Sequence, residues 1–371
     1  MTASHDRSDT LLVSTRKGLF TVTGQGDAAR IAGASFVGDN VTLALADPRD
    51  GAWYAALDHG HFGVKLHRSD DRGATWTEIA APAYPPKPDD ADDKDMWGKP
   101  IAWSTRLVWA LEIAPDVAGG LWAGTIPGGL FRSVDRGASW TLVEPLWHHP
   151  LRKQWLGGGY DPPGLHSICV DPRDPRTLTV GVSTGGVMRS RDLGQTWSAH
   201  TVGMVNTYTP PEQASEPQFQ DVHHLVQAPS DPTVWWCQHH CGAYRSGDDL
   251  ASWQQLTIEP SSFGFVVAVH PTRPDTAWFV PAQSDQKRTA HGQVVVTRTR
   301  DGGKSFEVLR AGLPQEHAYD VVYRHALAVA ADGEQLAFGS TTGNLWLTAD
   351  GGDRWHQVAA HLPPIYAVRY A

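Results

Sequence analysis

The stretch SDDRGATW, residues 69–76, consists of a hydroxyl residue, Asp, Gly, a second hydroxyl residue and an aromatic residue, with single spacers between the first four. The pattern recurs every 49 to 64 residues. The further copies are SVDRGASW (133–140), SRDLGQTW (190–197), SGDDLASW (246–253), TRDGGKSF (299–306) and TADGGDRW (348–355). Self-similarity at this period predicts an array of one supersecondary unit.

Each copy lies between two short apolar runs, such as GGLFRS (128–133) before the second copy and TLVEP (141–145) after it. This arrangement predicts a hairpin between two strands. The Asp accepts hydrogen bonds from turn amides, the Gly permits a positive φ, and the aromatic residue buries apolar surface on the sheet. Six copies in one chain favour turn formation over catalysis for these aspartates. The fourth copy departs from the pattern, because Leu250 replaces the glycine.

The pattern resembles the Asp-box, or BNR, repeat of sialidases, sortilin-type receptors, xyloglucan-degrading enzymes and a photosystem II assembly factor. The whole chain is similar to bacterial proteins described as BNR-repeat or sialidase-like. The segments that carry this similarity are STRKGLF (14–20), HFG (61–63), LHSICVDPRDP (165–175) and HCGAYRS (240–246). The resemblance implies a β-propeller with the motif in its hairpin turns, and it implies no particular activity.

Four strand signals accompany each copy of the motif, as in VTLALADP, AWYAAL, VKLHRS and TWTEI within 41–79. Six such sets and an N-terminal fragment predict an all-β, seven-bladed β-propeller, with residues 1–371 in one domain around a single axis. The C-terminal PPIYAVRYA (363–371) matches the first strand of a blade, so we expect it to close the ring against the N-terminal blade and hide the sheet edges. The predicted blades are 365–371 with 10–31, then 41–80, 107–144, 165–201, 222–258, 263–310 and 321–360.

The composition limits the classes of partner. A formal net charge of -9 offers no large basic field for nucleic acid or an anionic membrane. We find no apolar run long enough to span a bilayer, and MTASHDRSDT (1–10) lacks the apolar core of a signal peptide. We therefore expect a cytoplasmic protein. Three cysteines, Cys169, Cys237 and Cys241, predict no disulfide framework.

The loops of a propeller divide between two faces. With strands A to D counted outwards from the axis, the D-to-A and B-to-C loops share one face, here called the top face, and the C-to-D motif turns lie on the other. Binding and catalysis concentrate on variable loops held by a rigid scaffold, so we expect the functional site on the top face. All the long insertions lie there: 80–106, 144–164, 201–221 and 310–320 between blades, and 282–292 within one.

Histidines gather at the top face. Alignment of the first strands places His166 and His223 at equivalent positions of adjacent blades, and His240 lies in a B-to-C turn. Neutral imidazoles from separate strands are ligands for Zn, Fe or Cu, so we predict a divalent transition-metal site at these three residues. The alternatives are hydrogen-bonded structural histidines and general bases, because no local zinc signature is present.

Other polar and aromatic residues are expected on the same face. We predict catalytic roles for Asp221, which precedes His223, for His61 in DHGHFG (58–63), and for Arg16 in the first B-to-C turn. The predicted substrate-binding residues combine positive charge with aromatic surface: Lys17, Arg106, Trp155 and Tyr160. The alternative interpretation is a solvated charged rim with aromatic anchors for the loops.

Three functions remain open from the sequence. The first is an enzyme with a His-lined, metal-dependent site at the top of the central channel, acting on a small polar or anionic substrate. The second is a glycoside hydrolase with paired carboxylates, and the third is a noncatalytic propeller that binds a protein or a glycan. True sialidase chemistry is disfavoured, because the Arg-Ile-Pro motif of those enzymes is matched only by Arg30-Ile31-Ala32.

Overall fold

The computed structural model describes residues 10–158, 162–284 and 288–371. Within these ranges, seven antiparallel sheets surround one axis, and the predicted seven-bladed, all-β propeller is confirmed. Blade 1 contains β1 (Thr10–Thr15), β2 (Gly18–Thr23) and β3 (Arg30–Ser35). Blade 2 contains β4 (Asn40–Ala46), β5 (Trp53–Asp58), β6 (Val64–Ser69) and β7 (Thr77–Ile79). Blade 3 contains β8 (Leu107–Ile113), β9 (Leu121–Ile126), β10 (Leu130–Ser133) and β11 (Thr141–Leu142). Blade 4 contains β12 (Leu165–Val170), β13 (Leu178–Val182), β14 (Gly186–Ser190) and β15 (Ser198–Ala199).

The remaining blades repeat this order. Blade 5 contains β16 (Val222–Gln227), β17 (Trp235–His239), β18 (Gly242–Ser246) and β19 (Gln254–Leu256). Blade 6 contains β20 (Gly264–Val269), β21 (Ala277–Gln283), β22 (Arg288–Thr289), β23 (Val296–Thr299) and β24 (Glu307–Leu309). Blade 7 contains β25 (Leu327–Val329), β26 (Leu336–Gly339), β27 (Leu345–Thr348) and β28 (His356–Ala359), and β29 (Ile365–Tyr370) belongs to blade 1.

Helical segments are short and lie in the connections. The α-helix α1 spans Glu144–Trp147. The 3₁₀ turns are Gly26–Ala28, Gly60–Phe62, Pro150–Gln154, Pro211–Gln213, Pro217–Phe219 and Ala290–Gly292. No helix among the described residues is long and apolar enough to cross a lipid bilayer. The cysteines are free thiols.

The ring closes as the sequence predicts. Strand β29 pairs with β1 in antiparallel register, with Leu11 opposite Tyr370 and Val13 opposite Val368. The outer strand of blade 1 differs from prediction, because β3 extends to Ser35, beyond the expected boundary at residue 31. Most of β3 is exposed, so it lacks the apolar alternation that marks the other strands.

The six motif copies form the turns between the third and fourth strands of blades 2 to 7. In the first copy, Ser69 Oγ donates to Asp71 Oδ1 (2.7 Å) and Thr75 Oγ1 donates to Asp71 Oδ2 (2.6 Å). The Thr75 N–H also donates to Asp71 Oδ1 (2.8 Å), and these bonds lower the pKa of Asp71 to about 2. The aspartates are therefore ionised turn formers, which matches the sequence interpretation. Equivalent bonds are present at Asp135, Asp192, Asp248 and Asp301, and Asp350 accepts from Thr348 Oγ1 and the Arg354 N–H.

The aromatic residue that ends a motif copy often connects neighbouring blades. Trp76 Nε1 donates to Ser35 Oγ of blade 1 (3.1 Å), and Trp253 Nε1 donates to the His200 carbonyl after blade 4 (2.9 Å). Each indole thus links its own blade to the preceding one and adds apolar area at the junction.

The innermost strands carry a bulge near the top face. In β4, the pairing shifts between Val41 and Leu43, and comparable shifts occur in β8, β12, β16, β20 and β29. A bulge re-aims the extra side chain and increases the local twist. The extra residues, here called the bulge row, are Thr42, Trp109, His166, His223, Phe265 and Tyr366.

Glycine substitutions test the packing of the ring. Gly343 has a φ of +85°, and an added Cβ would lie 1.7 Å from the Leu362 carbonyl oxygen. We expect Gly343→Ala to lower the free energy of unfolding by about 3 kcal/mol or more, since backbone strain and overpacking combine. Gly38→Ala is the control, because its φ is +102° and its Cβ meets nothing within 4 Å. A loss of about 1 kcal/mol is expected there in urea unfolding, and equal losses at both sites would contradict the packing described here.

Candidate functional site

A cavity of about 600 Å³ opens at the top of the central channel, here called the upper cavity. Every blade contributes to its wall, and the bulge row supplies five of its six members to the lining. Blade 5 and the loop before it provide Asp221, His223 and His240, while blade 2 provides Asp58 on β5. The site therefore lies on the face that the sequence indicated, at the opposite end of the blades from the six motif turns.

Asp221, His223 and His240 form one cluster of potential ligands. Their ligand atoms lie within 4.8 Å of one another. Asp221 Oδ2 is 3.7 Å from His223 Nε2 and 3.5 Å from His240 Nδ1. Ligand atoms in a tetrahedral zinc site lie roughly 3.4 Å apart, given metal–ligand distances of about 2.1 Å. The two separations between Asp221 and the histidines are close to this spacing.

The hydrogen bond on the far side of His223 fixes its tautomer. Nδ1 lies 2.6 Å from the Gly264 carbonyl oxygen, which only accepts, so Nδ1 carries the proton. In the neutral ring, Nε2 then presents a lone pair to the Asp221 carboxylate. Two acceptors facing each other inside the protein repel unless a cation lies between them. A backbone carbonyl on the second nitrogen is also the usual support of a metal-bound histidine.

Burial and charge set the protonation of this cluster. Burial lowers the pKa of His223 and outweighs the attraction of Asp221, so the ring is neutral at pH 7. Burial alone would raise the pKa of Asp221. At the low pH where this carboxylate would take up a proton, however, His223 is itself protonated, and its charge, its hydrogen bond to the carboxylate and the Arg324 guanidinium hold the pKa of Asp221 below its ordinary value. Asp221 Oδ1 is buried and has no hydrogen-bond partner among the described residues. A neutral imidazole beside an under-coordinated carboxylate is the donor set that divalent transition metals prefer.

Aromatic rings hold both imidazoles in place. The His223 ring stacks on Phe265, with centroids 4.8 Å apart and an interplanar angle of 16°. The His240 ring meets the edges of Phe263 at 5.5 Å and Tyr208 at 5.6 Å. Tyr208 belongs to the 201–221 insertion and donates its hydroxyl hydrogen to the Phe219 carbonyl. The insertion thus forms part of the cavity wall beside His240.

Arg324 brings a buried positive charge to the same cavity. The residue is 8% exposed, and its guanidinium carbon lies 4.8 Å from the centre of the Trp109 ring. The Phe265 ring is 5.9 Å away. Cation–π contacts of this kind hold a guanidinium at a fixed place in an apolar wall.

The structure does not bring His166 to the cluster. Its Nε2 donates to the Val222 carbonyl (2.7 Å), and its Nδ1 lies 2.9 Å from Ser167 Oγ. Both nitrogens are thereby occupied by the protein, and the ring lies at the lower cavity, a space of about 530 Å³ further along the channel. Of the three ligands expected from sequence, His223 and His240 therefore lie in the cluster and His166 does not, and Asp221 occupies the third position of the cluster.

The other predicted site residues are dispersed. Arg16 and Lys17 are exposed in the β1–β2 turn, and His61 is exposed in the 3₁₀ turn after β5 and packs against Phe62. None of these three lines the upper cavity.

Two of the remaining predicted substrate-binding residues line a different cavity. Arg106 and Trp155 line a separate cavity of about 170 Å³ beneath the 80–106 insertion. Trp155 is 1% exposed, so it serves there as a core residue. Tyr160 lies outside the described residues.

Several cavity residues had no site assignment from the sequence. Trp109 and Phe265 share the aligned position of His223. Their aromatic side chains there are also compatible with ordinary core packing, so the sequence alone does not mark them as cavity residues. Phe263 and Arg324 precede the first strands of blades 6 and 7, where the alignment was not extended. The bulge position supplies five of the lining residues, and only the fold shows in which blades that residue faces the cavity.

The burial of His325, which lines both the upper and the lower cavity, predicts that the stability of the fold depends on pH. His325 Nε2 donates to the His166 carbonyl (2.7 Å), and burial lowers the pKa of His325 from 6.5 to about 4. The unfolded chain therefore binds a proton below about pH 6.5 that the folded chain accepts only near pH 4, so stability falls as the pH falls through this window. We expect His325→Gln to reduce that slope by up to about 1.4 kcal/mol per pH unit in urea unfolding. The exposed His361→Gln is the control, and an unchanged slope for His325→Gln would refute the assignment.

Comparisons with known proteins place the fold. No protein-family profile matches the chain, and no curated protein matches its sequence. The chain is similar in structure to the GH74 xyloglucanase from Xanthomonas campestris, with a TM-score of 0.63 and 18% identity over 97% of this chain and 52% of that one. It thus spans about half the length of the xyloglucanase.

Two further structures resemble the whole propeller. One is a functionally unknown protein from Desulfotomaculum acetoxidans, with a TM-score of 0.56 and 10% identity over 97% of this chain and 99% of that one. The other is YCF48 bound to D1 peptide, with a TM-score of 0.51 and 14% identity over 86% of this chain and 80% of that one. At these identities the similarity establishes a β-propeller with structural neighbours among GH74 and YCF48 propellers.

Proposed function

We propose that the upper cavity binds and transforms a small polar or anionic molecule, with a divalent transition metal held by Asp221, His223 and His240. The observation that carries the proposal is the pairing of His223 Nε2 with Asp221 Oδ2 at 3.7 Å while His223 Nδ1 donates to Gly264. That arrangement presents two acceptors to one point, and His240 Nδ1, 3.5 Å from the same Asp221 oxygen, adds a third in the tautomer that carries its proton on Nε2. A cation at this point satisfies all three.

The ligand set narrows the choice of metal. Two imidazoles and one carboxylate suit Zn or Fe(II) better than Mg or Ca, and the absence of a thiolate ligand in this set disfavours Cu(I). A metal with three protein ligands keeps open positions, where it polarises a carbonyl or phosphoryl oxygen or lowers the pKa of bound water. The Gly264 carbonyl and the Phe265 ring then orient His223, and the apolar wall excludes water from the reacting groups.

A glycoside hydrolase is the second candidate. Asp58 and Asp221 line the same cavity from blades 2 and 5, and a pair of carboxylates is the usual apparatus of glycoside hydrolysis. The GH74 neighbours share this fold. A general acid requires a raised pKa, whereas Asp221 has a lowered one, so we rank this candidate second.

Ligand binding without catalysis is the third candidate, in line with the peptide-bound state of YCF48. We also propose a cytoplasmic location and membership of the Asp-box group. The hydrogen-bonded Ser–Asp–Thr turns support the Asp-box assignment.

Metal binding tests the leading proposal. We expect the purified protein to bind one equivalent of Zn²⁺ in isothermal titration calorimetry after chelator treatment. Asp221→Asn and His240→Ala each remove one ligand, so we expect each to weaken Zn²⁺ binding by about 100-fold or more. Co²⁺ substitution should give the visible absorption of a low-symmetry site in the wild type and not in these variants.

His361→Ala is the matched control, because His361 is an exposed histidine of the same face that does not line the cavity. It should bind Zn²⁺ as the wild type does. Wild-type protein without measurable Zn²⁺, Fe²⁺ or Co²⁺ binding would overturn the metal proposal, as would Asp221→Asn with unchanged affinity.

A panel of nitrophenyl glycosides separates the second candidate from the first. A metal-dependent enzyme of another class should release no nitrophenol. If hydrolysis is observed, a carboxylate mechanism predicts activity in the presence of EDTA and a loss of about 1,000-fold or more in kcat for both Asp58→Asn and Asp221→Asn. Loss for Asp221→Asn alone, together with inhibition by EDTA, would instead support the metal site.

A further inference from the structure

Among the residues that the structure describes, one guanidinium lines the upper cavity, and its surroundings hold it in position. Arg324 is 8% exposed and lies over the rings of Trp109 and Phe265, which come from blades 3 and 6. A buried arginine costs desolvation energy that its surroundings must offset. Placement at a cavity wall, within reach of a ligand, is the arrangement by which proteins recognise carboxylates and phosphates.

The guanidinium and the proposed metal cluster approach the same stretch of backbone. Arg324 Nη2 donates a long hydrogen bond to the Gly158 carbonyl (3.5 Å). A Cβ added at Gly158 would lie 2.8 Å from Asp221 Oδ1 and 3.0 Å from Thr184 Oγ1. A small molecule that lies along Gly158 therefore reaches both charged groups. Glycine at this position lets the backbone pack directly against Asp221 Oδ1, where a side chain would clash.

The charges of the lining favour an anion once a metal is bound. The described lining residues with full charges are Asp58, Asp221 and Arg324. Asp58 is held on the blade 2 side, where it accepts from the Gly60 N–H (2.8 Å) and from Asn40 Nδ2 (3.3 Å). Among these described residues, two carboxylates exceed one guanidinium, and a bound divalent cation would change their sum from one net negative to one net positive charge. An anionic ligand then neutralises the cavity.

We propose that the ligand of the upper cavity is a small organic oxyanion, a carboxylate or a phosphate ester, whose anionic group pairs with the Arg324 guanidinium. This inference rests on the proposed function, because the metal supplies the charge that favours an anion over a neutral molecule. The apolar part of the ligand lies against a wall that includes Leu107, Leu156 and Phe263. Arg324 is then a substrate-binding residue that determines specificity.

Calorimetry with four probes tests the inference on the Zn²⁺-loaded full-length protein: benzoate, phenyl phosphate, inorganic phosphate and the neutral isostere benzamide. We expect benzoate or phenyl phosphate to bind at least about tenfold more tightly than benzamide, since a charge-assisted bond is lost in the neutral probe. Weaker binding of inorganic phosphate would show that the apolar wall contributes. The comparison of benzoate with phenyl phosphate identifies the preferred oxyanion.

Arg324→Gln should weaken the binding of the anionic probes by about tenfold or more and leave benzamide unchanged. Arg369→Gln is the matched control, because Arg369 pairs with Glu112 at the lower cavity (2.7 and 2.9 Å) and does not line the upper one. It should bind the probes as the wild type does. If Arg324→Gln does not fold, Arg324→Lys is the second variant, because it retains the charge without the planar, bidentate guanidinium. It should weaken benzoate binding by a smaller factor than the tenfold expected for Arg324→Gln.

The outcomes separate the two proposals. Equal affinity of Arg324→Gln and wild type for the anionic probes overturns the inference, as does equal affinity of benzoate and benzamide. Zn²⁺ binding by Arg324→Gln should be as tight as in the wild type or tighter, because a repelling charge is removed. Failure of the wild type to bind Zn²⁺ overturns the metal proposal, whereas Arg324-dependent binding of benzoate to that same metal-free protein would leave the anion site standing.

Discussion

The antiparallel pairing of β29 with β1 is the constraint on which the whole structure depends. It joins the two ends of the chain into one sheet and fixes seven blades around the axis. Once the ring is closed, the innermost strands face one another across the channel, and the bulge-row residues of β4, β8, β16, β20 and β29 line a common space. Residues as distant in sequence as Thr42 and Tyr366 therefore line one cavity. The site is a consequence of ring closure, since no single blade encloses it.

The motif turns and the upper cavity lie at opposite ends of the blades, and the aspartates at the two ends differ in their hydrogen bonding. At the end of the motif turns, aspartates such as Asp71 accept hydrogen bonds from their own turn at both carboxylate oxygens, so they stabilise the hairpins. At the cavity end, Asp221 Oδ1 is buried without a partner among the described residues. A buried carboxylate oxygen without a partner can accept a bond from a ligand or a cation, and this is one basis of the proposal for Asp221.

Much of this was predictable from sequence, because repeats determine both architecture and faces. The blade count, the closure and the top-face location follow from the motif spacing, and the alignment of first strands identified His223. The same alignment selected His166, which has the same register but donates Nε2 to the Val222 carbonyl. Which way a bulge turns a side chain depends on the neighbouring blade, and the sequence does not encode it locally. Arg324 lies outside the six motif copies and three residues before β25, so no repeated pattern marks it in the sequence.

The central claim is that Asp221, His223 and His240 bind a metal, and anomalous diffraction from a crystal soaked in Zn²⁺ tests it most directly. The account predicts an anomalous peak at the zinc edge in the upper cavity, about 2.0–2.2 Å from His223 Nε2, His240 Nδ1 and an Asp221 carboxylate oxygen. A peak confined to other residues, or no peak in the upper cavity at saturating Zn²⁺, would contradict it.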